Sequence, residues 1–167
     1  NCQSSLHVIE IFVLARSLLA TSEGFEVDIV PLFETIDDLA HAPDIMDELY
    51  GIREYRDRLD KRKSHQNIML GFSDGTMDGG YLRANWSIFR AKENLTTISR
   101  RHALKAIFFD GRGGPPARGG GNTHDFYASL GDTIENEEVQ ITVQGQTISS
   151  NFGKIASCKY NLEQLLS

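Results

Sequence analysis

Apolar residues recur along this chain at two alternating periods, one helical and one extended, as in an α/β protein. The stretch from Leu6 to Ala20 is apolar on nearly every side of a helix and is expected to be buried. Residues 25–33, FEVDIVPLF, are rich in Val, Ile and Phe and predict a strand. Pro31 has no N–H to give a sheet ladder, so it belongs near that strand's end. Thr35, with Asp38 three residues on, resembles a helix-starting capping pair, and Asp37 and Asp38 suit the positive end of a helix. Pro43 is expected to open a second helical stretch, interrupted at Gly51. That stretch runs on through Arg53, Glu54, Arg56, Asp57 and Arg58, whose charges predict a solvated face.

The alternation continues downstream. NIMLGF, 67–72, predicts a second strand. Gly79 and Gly80 precede a long helix from about Tyr81 to Arg101, with Leu82, Trp86 and Phe89 on one stripe that Leu95 and Ile98 continue. LKAIFF, 104–109, predicts a third strand, and a glycine-rich loop follows. Asn122 or Thr123 can cap a helix reaching Leu130, VQITVQGQTI at 139–148 predicts a fourth strand, and Tyr160 to Leu166 begins another helix. Connections of this length favour parallel neighbours. Two architectures fit: an open, helix-flanked sheet, or about half of an eight-stranded barrel, whose whole takes ~250 residues. No repeat or linker divides residues 1–167, which read as a single domain.

Composition narrows the function. With 40% hydrophobic and 24% charged residues, the chain is expected to fold and stay in water. Its 17 basic and 23 acidic residues give a net charge of -6, a poor match to nucleic acid or an anionic membrane. An anionic substrate must then be met by a local cluster of arginines. The longest apolar run is broken by Glu10 and Arg16 and is too short to span a bilayer. Cys2 and Cys158 form no CxxC pair, which argues against a zinc site or a disulfide scaffold and suits a reducing cytoplasm. His7, His41, His65, His102 and His124 show no metal-binding spacing, and no GxSxG elbow supports acyl-enzyme chemistry.

In parallel α/β folds ligands bind at the carboxyl ends of strands, where the strand-to-helix loops converge. Glu34 follows the first predicted strand, Ser73-Asp74 the second, Asp110-Gly111-Arg112 the third, and Gln144-Gly145-Gln146 lie at the fourth. Carboxylates from separate strand ends, completed by water, suit Mg²⁺ or Mn²⁺. The loop GRGGPPARGGG, 111–121, holds six of the 15 glycines. Gly113, Gly114, Gly119, Gly120 and Gly121 allow positive φ and close backbone approach, so their N–H groups can cradle an anion. Arg112 and Arg118 add permanently charged, bidentate donors for phosphate or carboxylate. The loop lacks the GxxxxGK[ST] pattern of a nucleotide P-loop.

Four segments in order carry a resemblance: VPLFETIDDL (30–39), MLGFSDGTMDGG (69–80), FDGRGGPPARGGGNTH (109–124) and ITVQGQTISSNFG (141–153). They resemble signature segments of the phosphoenolpyruvate carboxylases, whose chains are several times longer. The resemblance implies that these residues are an internal part of a (β/α)8 catalytic barrel, about four strand–helix units of it. It also implies a cytoplasmic carbon–carbon lyase that makes oxaloacetate, a tricarboxylic acid cycle intermediate, and phosphate from phosphoenolpyruvate and bicarbonate. Glu34 and Asp74 would then hold the divalent metal, Arg112 would neutralise the transferring phosphoryl group, and Arg118 would handle bicarbonate and substrate. Asp110 and the loop glycines would line the substrate site.

Three positions depart from the family pattern: Met77 replaces a lysine, Asp110 stands where a histidine usually lies, and Gln146 stands for a glutamate. Met77 and Asp110 shift the local charge toward negative, which should weaken binding of a trianionic substrate. No nucleic-acid or membrane partner is expected. A homo-oligomer, or association with the missing half of the barrel, is. The competing expectation is a catalytically incompetent fragment, or a phosphate-binding module of the same fold.

Overall fold

Helices and strands alternate in the computed structural model, which describes residues 1–19, 27–111, 114, 116, 119, 121–142 and 146–166. A leading helix, α1 (Ser5–Leu19), precedes β1 (Leu32–Phe33), α2 (Ile36–Gly51) and α3 (Arg53–Lys61). β2 (His65–Leu70), α4 (Ser73–Arg101) and β3 (Lys105–Asp110) form the centre. α5 (Thr123–Ala128), β4 (Val139–Ile141), α6 (Gln146–Phe152) and α7 (Ile155–Leu166) complete the chain. The four strands form one sheet in the order β1-β2-β3-β4, and every neighbouring pair is parallel. The expected α/β class and parallel strand order are therefore present.

Strand alternation sorts the sheet into two faces. Gln66, Ile68 and Leu70 of β2, and Ala106, Phe108 and Asp110 of β3, are buried on the face that meets α2 and α4. Against them pack Leu39, Met46 and Leu49 from α2 and Ile88, Ala91 and Leu95 from α4. Two polar groups in this layer are satisfied: Tyr55 donates to Gln66 Oε1 at 2.8 Å, and Gln66 Nε2 donates to the Ile29 carbonyl at 3.1 Å.

Helix α2 starts as its sequence predicts. Thr35 and Asp38 form a complete capping box: the Thr35 amide donates to Asp38 Oδ2 and the Asp38 amide donates to Thr35 Oγ1, each at 3.0 Å. Pro43, however, opens nothing; it sits inside one continuous helix. A proline forfeits one helical hydrogen bond, and the buried residues on both sides of it, Leu39, Ala42, Met46 and Leu49, hold the helix to the core. The charged run in α3 is mostly solvated as expected, although Arg56 and Arg58 reach back to the carbonyls of His102 and Val27.

Three further expectations are corrected. The predicted strand over 25–33 begins at residues outside those described, and within the rest only Leu32–Phe33 pairs. Pro31 precedes it and serves through its carbonyl, which accepts from the Met69 amide at 2.9 Å. The fourth strand ends at Ile141, and Gln146–Phe152 is helical, so the apolar alternation at 139–142 does not extend to 148. Finally, α1 is not buried all round. Only Ser5, Val8 and Phe12 are buried, while Leu6, Ile11, Val13, Leu14, Leu18 and Leu19 are exposed. Among the described residues, no helix is long and apolar enough to cross a membrane.

Candidate active site

The parallel register brings the carboxyl ends of the strands level. Phe33 pairs with Leu70, Leu70 with Asp110, and Asp110 with Ile141, so Glu34, Gly71 and Gly111 follow one another along a single rim. Glu34 leaves β1 and lies across Gly71. A Cβ at Gly71 would stand 2.5 Å from Glu34 Cγ and 3.0 Å from Oε1, so glycine is required for this carboxylate to occupy its place. Asp74 is exposed in the first turn of α4. Its neighbour Gly75 is buried against Glu34, whose carbonyl oxygen would lie 3.3 Å from a Cβ there. Both sequence-predicted carboxylates therefore occupy the same rim, on the β1–β2 side.

The turn that carries Asp74 is set off from the rest of α4. Gly80 has φ 79° and ψ 169°, so α4 is two helical segments joined at a kink, with the long one beginning near Tyr81 as the sequence predicts. Met77 lies one turn beyond Asp74 and is 87% exposed. The aromatic stripe expected on the long segment is only partly inside: Leu82 and Trp86 face solvent, and the buried face runs through Ala84, Ile88, Ala91, Lys92, Leu95 and Ser99.

Of the glycine loop, Arg112, Gly113, Arg118 and Gly120 lie outside the described residues. Gly114, Gly119 and Gly121 have φ of +66°, +96° and +86°, as expected for glycines that bend the backbone where other residues are strained. Gly114 sits beside Tyr127, whose hydroxyl would be 2.6 Å from a Cβ at that position. Gly119 lies beside the Tyr81 hydroxyl, 3.5 Å from where its Cβ would be. Tyr81 in turn meets Phe72 edge to face, with ring centroids 5.9 Å apart. The loop's described positions thus reach from the end of β3 to the start of the long segment of α4, next to the turn bearing Asp74.

Asp110 differs from the other two carboxylates. It is 1% exposed on the helix-facing side of β3, where Lys92 Nζ and the Tyr127 hydroxyl each donate to its Oδ2 at 2.7 Å. The excess negative charge expected from Asp110 is therefore balanced within the fold. Sequence reasoning missed Lys92. The available signal was a lysine spaced with Ile88, Leu95 and Ser99 on what turns out to be the core stripe of α4, a position that demands a buried partner. Gln144 and Gly145 lie outside the described residues, and Gln146 begins α6. Among the described residues, no three His, Cys, Asp or Glu side chains cluster as a metal site. Two carboxylates at one open rim nevertheless suit a hard cation that keeps several waters.

A sequence model of the family described as phosphoenolpyruvate carboxylase matches residues 1–167. The chain is 37% identical over 166 residues to a protein of Bradyrhizobium diazoefficiens named phosphoenolpyruvate carboxylase, covering 98% of this chain and 18% of that protein. It is 41% identical over 141 residues to one from Corynebacterium efficiens with the same name, covering 84% and 15%. A third, from Nitrosomonas eutropha, is 37% identical over 166 residues, covering 97% and 18%. The chain thus spans less than a fifth of the length of these curated relatives.

Proposed function

Since the chain belongs to the phosphoenolpyruvate carboxylase family, we propose that it supplies part of the catalytic barrel of a cytoplasmic enzyme that joins phosphoenolpyruvate to bicarbonate. The observation that carries this reading is the shared rim: Glu34 and Asp74 stand at adjacent strand ends, and the arginine-bearing glycine loop starts from the third. The four parallel strands with intervening helices supply half the strands of a (β/α)8 barrel.

In this reading Glu34 and Asp74 hold Mg²⁺ or Mn²⁺. The bound cation supplies Lewis-acid stabilisation of the phosphoryl and enolate oxygens. Arg112 neutralises the phosphoryl group while a bicarbonate oxygen attacks phosphorus and the enolate leaves, giving carboxyphosphate. Carboxyphosphate separates into CO₂ and inorganic phosphate. The enolate carbon then captures CO₂ to form oxaloacetate, with Arg118 and the backbone N–H groups of Gly113, Gly114, Gly119, Gly120 and Gly121 holding the anions and limiting water. The test is a coupled oxaloacetate assay on the full-length enzyme, with and without Mg²⁺. Bicarbonate- and metal-dependent product is expected, and its absence with both substrates saturating refutes the reading.

A second reading concerns the 167-residue chain by itself. The apolar outer face of α1, with Leu18 at 73% exposure, and the exposed Leu82 and Trp86 favour assembly with a second copy or with the remaining barrel over an active monomer. Light scattering on this chain decides it: a monodisperse monomer refutes assembly.

A further inference from the structure

Lys92 balances the charge of Asp110, but nothing within the Asp74 segment makes up for the charge that Met77 lacks. Residues 34–38 and 73–79 carry five carboxylates and no lysine or arginine. A divalent cation offsets two of those charges, so an anionic ligand at this rim needs a further cation close by. Arg83 is the first basic residue beyond the Gly80 joint. Its stem lies back over the short segment: a Cβ at Gly79 would stand 2.9 Å from Arg83 Cδ and 3.4 Å from Cγ, and would also meet Ile36 Cδ1. Ile36 is two residues after Glu34, and Gly79 is five after Asp74, about 7.5 Å of helical rise. The stem therefore sits where the Glu34 and Asp74 segments touch, in space that only a glycine at 79 leaves open. Long helical side chains lean toward the amino end of their helix, which aims this one at the Asp74 turn. Arg83 is exposed, and among the described residues it holds no carboxylate, whereas Arg56, Arg62, Arg90, Arg100 and Arg101 each hold one.

We propose that Arg83 is an anion-binding residue of this rim, supplying from the long segment of α4 the positive charge that position 77 does not. Its ligand is an oxyanion of the substrate held beside the Glu34 and Asp74 carboxylates. The inference rests on the carboxylase reading for the identity of that substrate, and on the Gly79 contact and the uncommitted guanidinium for the site. It makes positions 77 and 83 interchangeable as carriers of one charge.

The experiment compares four full-length proteins: the parent, Arg83→Met, the swap Met77→Lys with Arg83→Met, and Arg53→Met as a control on α3. All three altered positions are exposed, so the variants are expected to fold. Calorimetry measures the Kd for phosphoenolpyruvate with Mg²⁺, and the series is repeated with inorganic phosphate. Arg83→Met should weaken both anions about tenfold, the swap should return to within about threefold of the parent, and Arg53→Met should bind as the parent does. A structural role for Arg83 would not be rescued by a lysine at 77. An unchanged Kd in Arg83→Met, a swap that binds no better than Arg83→Met, or an equal loss in Arg53→Met overturns the proposal. Oxaloacetate formation by the parent is assayed separately. Its absence removes the carboxylase reading, while the phosphate series still decides on Arg83; a parent that binds neither anion overturns the proposal as well.

Discussion

The carboxyl rim of the sheet has two regions built on opposite principles. On the β1–β2 side, Glu34 and Asp74 are held near solvent by backbone geometry: Gly71 makes room for one, and the short segment before Gly80 presents the other. On the β3 side, Asp110 is sealed inside with Lys92 and Tyr127. The first arrangement leaves carboxylate oxygens near water, and the second pairs a charge inside the core. A carboxylate at a strand end is thus not one kind of feature. Its burial and its partners decide whether it is offered to a ligand or withheld.

This contrast is breakable, and the largest effect is expected at the open side. Asp74→Ala in the full-length enzyme should lower metal-dependent turnover by about three orders of magnitude while leaving the melting temperature near that of the parent. Near-normal turnover at saturating Mg²⁺ would remove Asp74 from the metal site. At the sealed side the loss should be structural first. Lys92→Met is expected to cost about 3–5 kcal/mol in a denaturant titration, because it strands a buried carboxylate; a cost near that of an ordinary surface change would mean that Asp110 is not charged there.

Gly71→Ala should cost about 1–3 kcal/mol through overpacking against Glu34 and should weaken Mg²⁺ activation. Gly51→Ala is the control, since beyond its own helix backbone and chain neighbours nothing lies within 4 Å of a Cβ at that position. Equal Mg²⁺ responses from the two variants would separate Glu34 from the cation.

The smallest effect is at the cap of α2, where Thr35→Ala should cost about 1 kcal/mol. Burial alone would raise the Asp38 pKa, but hydrogen bonds from Thr35 and Asn1 outweigh it and hold the carboxyl below its ordinary value. A lowered folded-state pKa stabilises the fold above the unfolded value, and that contribution is lost as pH falls through about 4 and below. The Thr35→Ala variant should therefore show a shallower loss of stability on acidification than the parent, and identical slopes would contradict the cap's role.

Much of this frame was legible from local pattern. The cores of β2 and β3, the capping box at Thr35–Asp38 and the break at Gly80 follow from neighbouring residues and need no tertiary information. The errors arose where a local signal competed with surroundings that a sequence does not display. Val139, Ile141 and Ile148 look alike in hydropathy, yet Val139 and Ile141 pair with β3 whereas Ile148 lies in a helix. The apolar residues of α1 suggested a helix surrounded by core, but α2 and Tyr55 of α3 meet it on the side of Val8 and Phe12, and the rest faces out. Glu34 and Asp74 could be placed at the rim because strand ends set their position. The Lys92–Asp110 pair could not, because its members are 18 residues apart and meet only when α4 folds back over β3.

Gly80 has a consequence for how such a protein can change. Its φ of 79° with ψ of 169° belongs to a backbone region open essentially to glycine alone. The seven residues before this joint carry Asp74, and the long segment after it packs against the core. Substitutions that retune thermal endurance on the packed segment need not drag the Asp74 turn with them, and that turn can drift without loosening the interior. Evolution can adjust grip and durability separately on either side of one residue, provided that residue itself stays fixed.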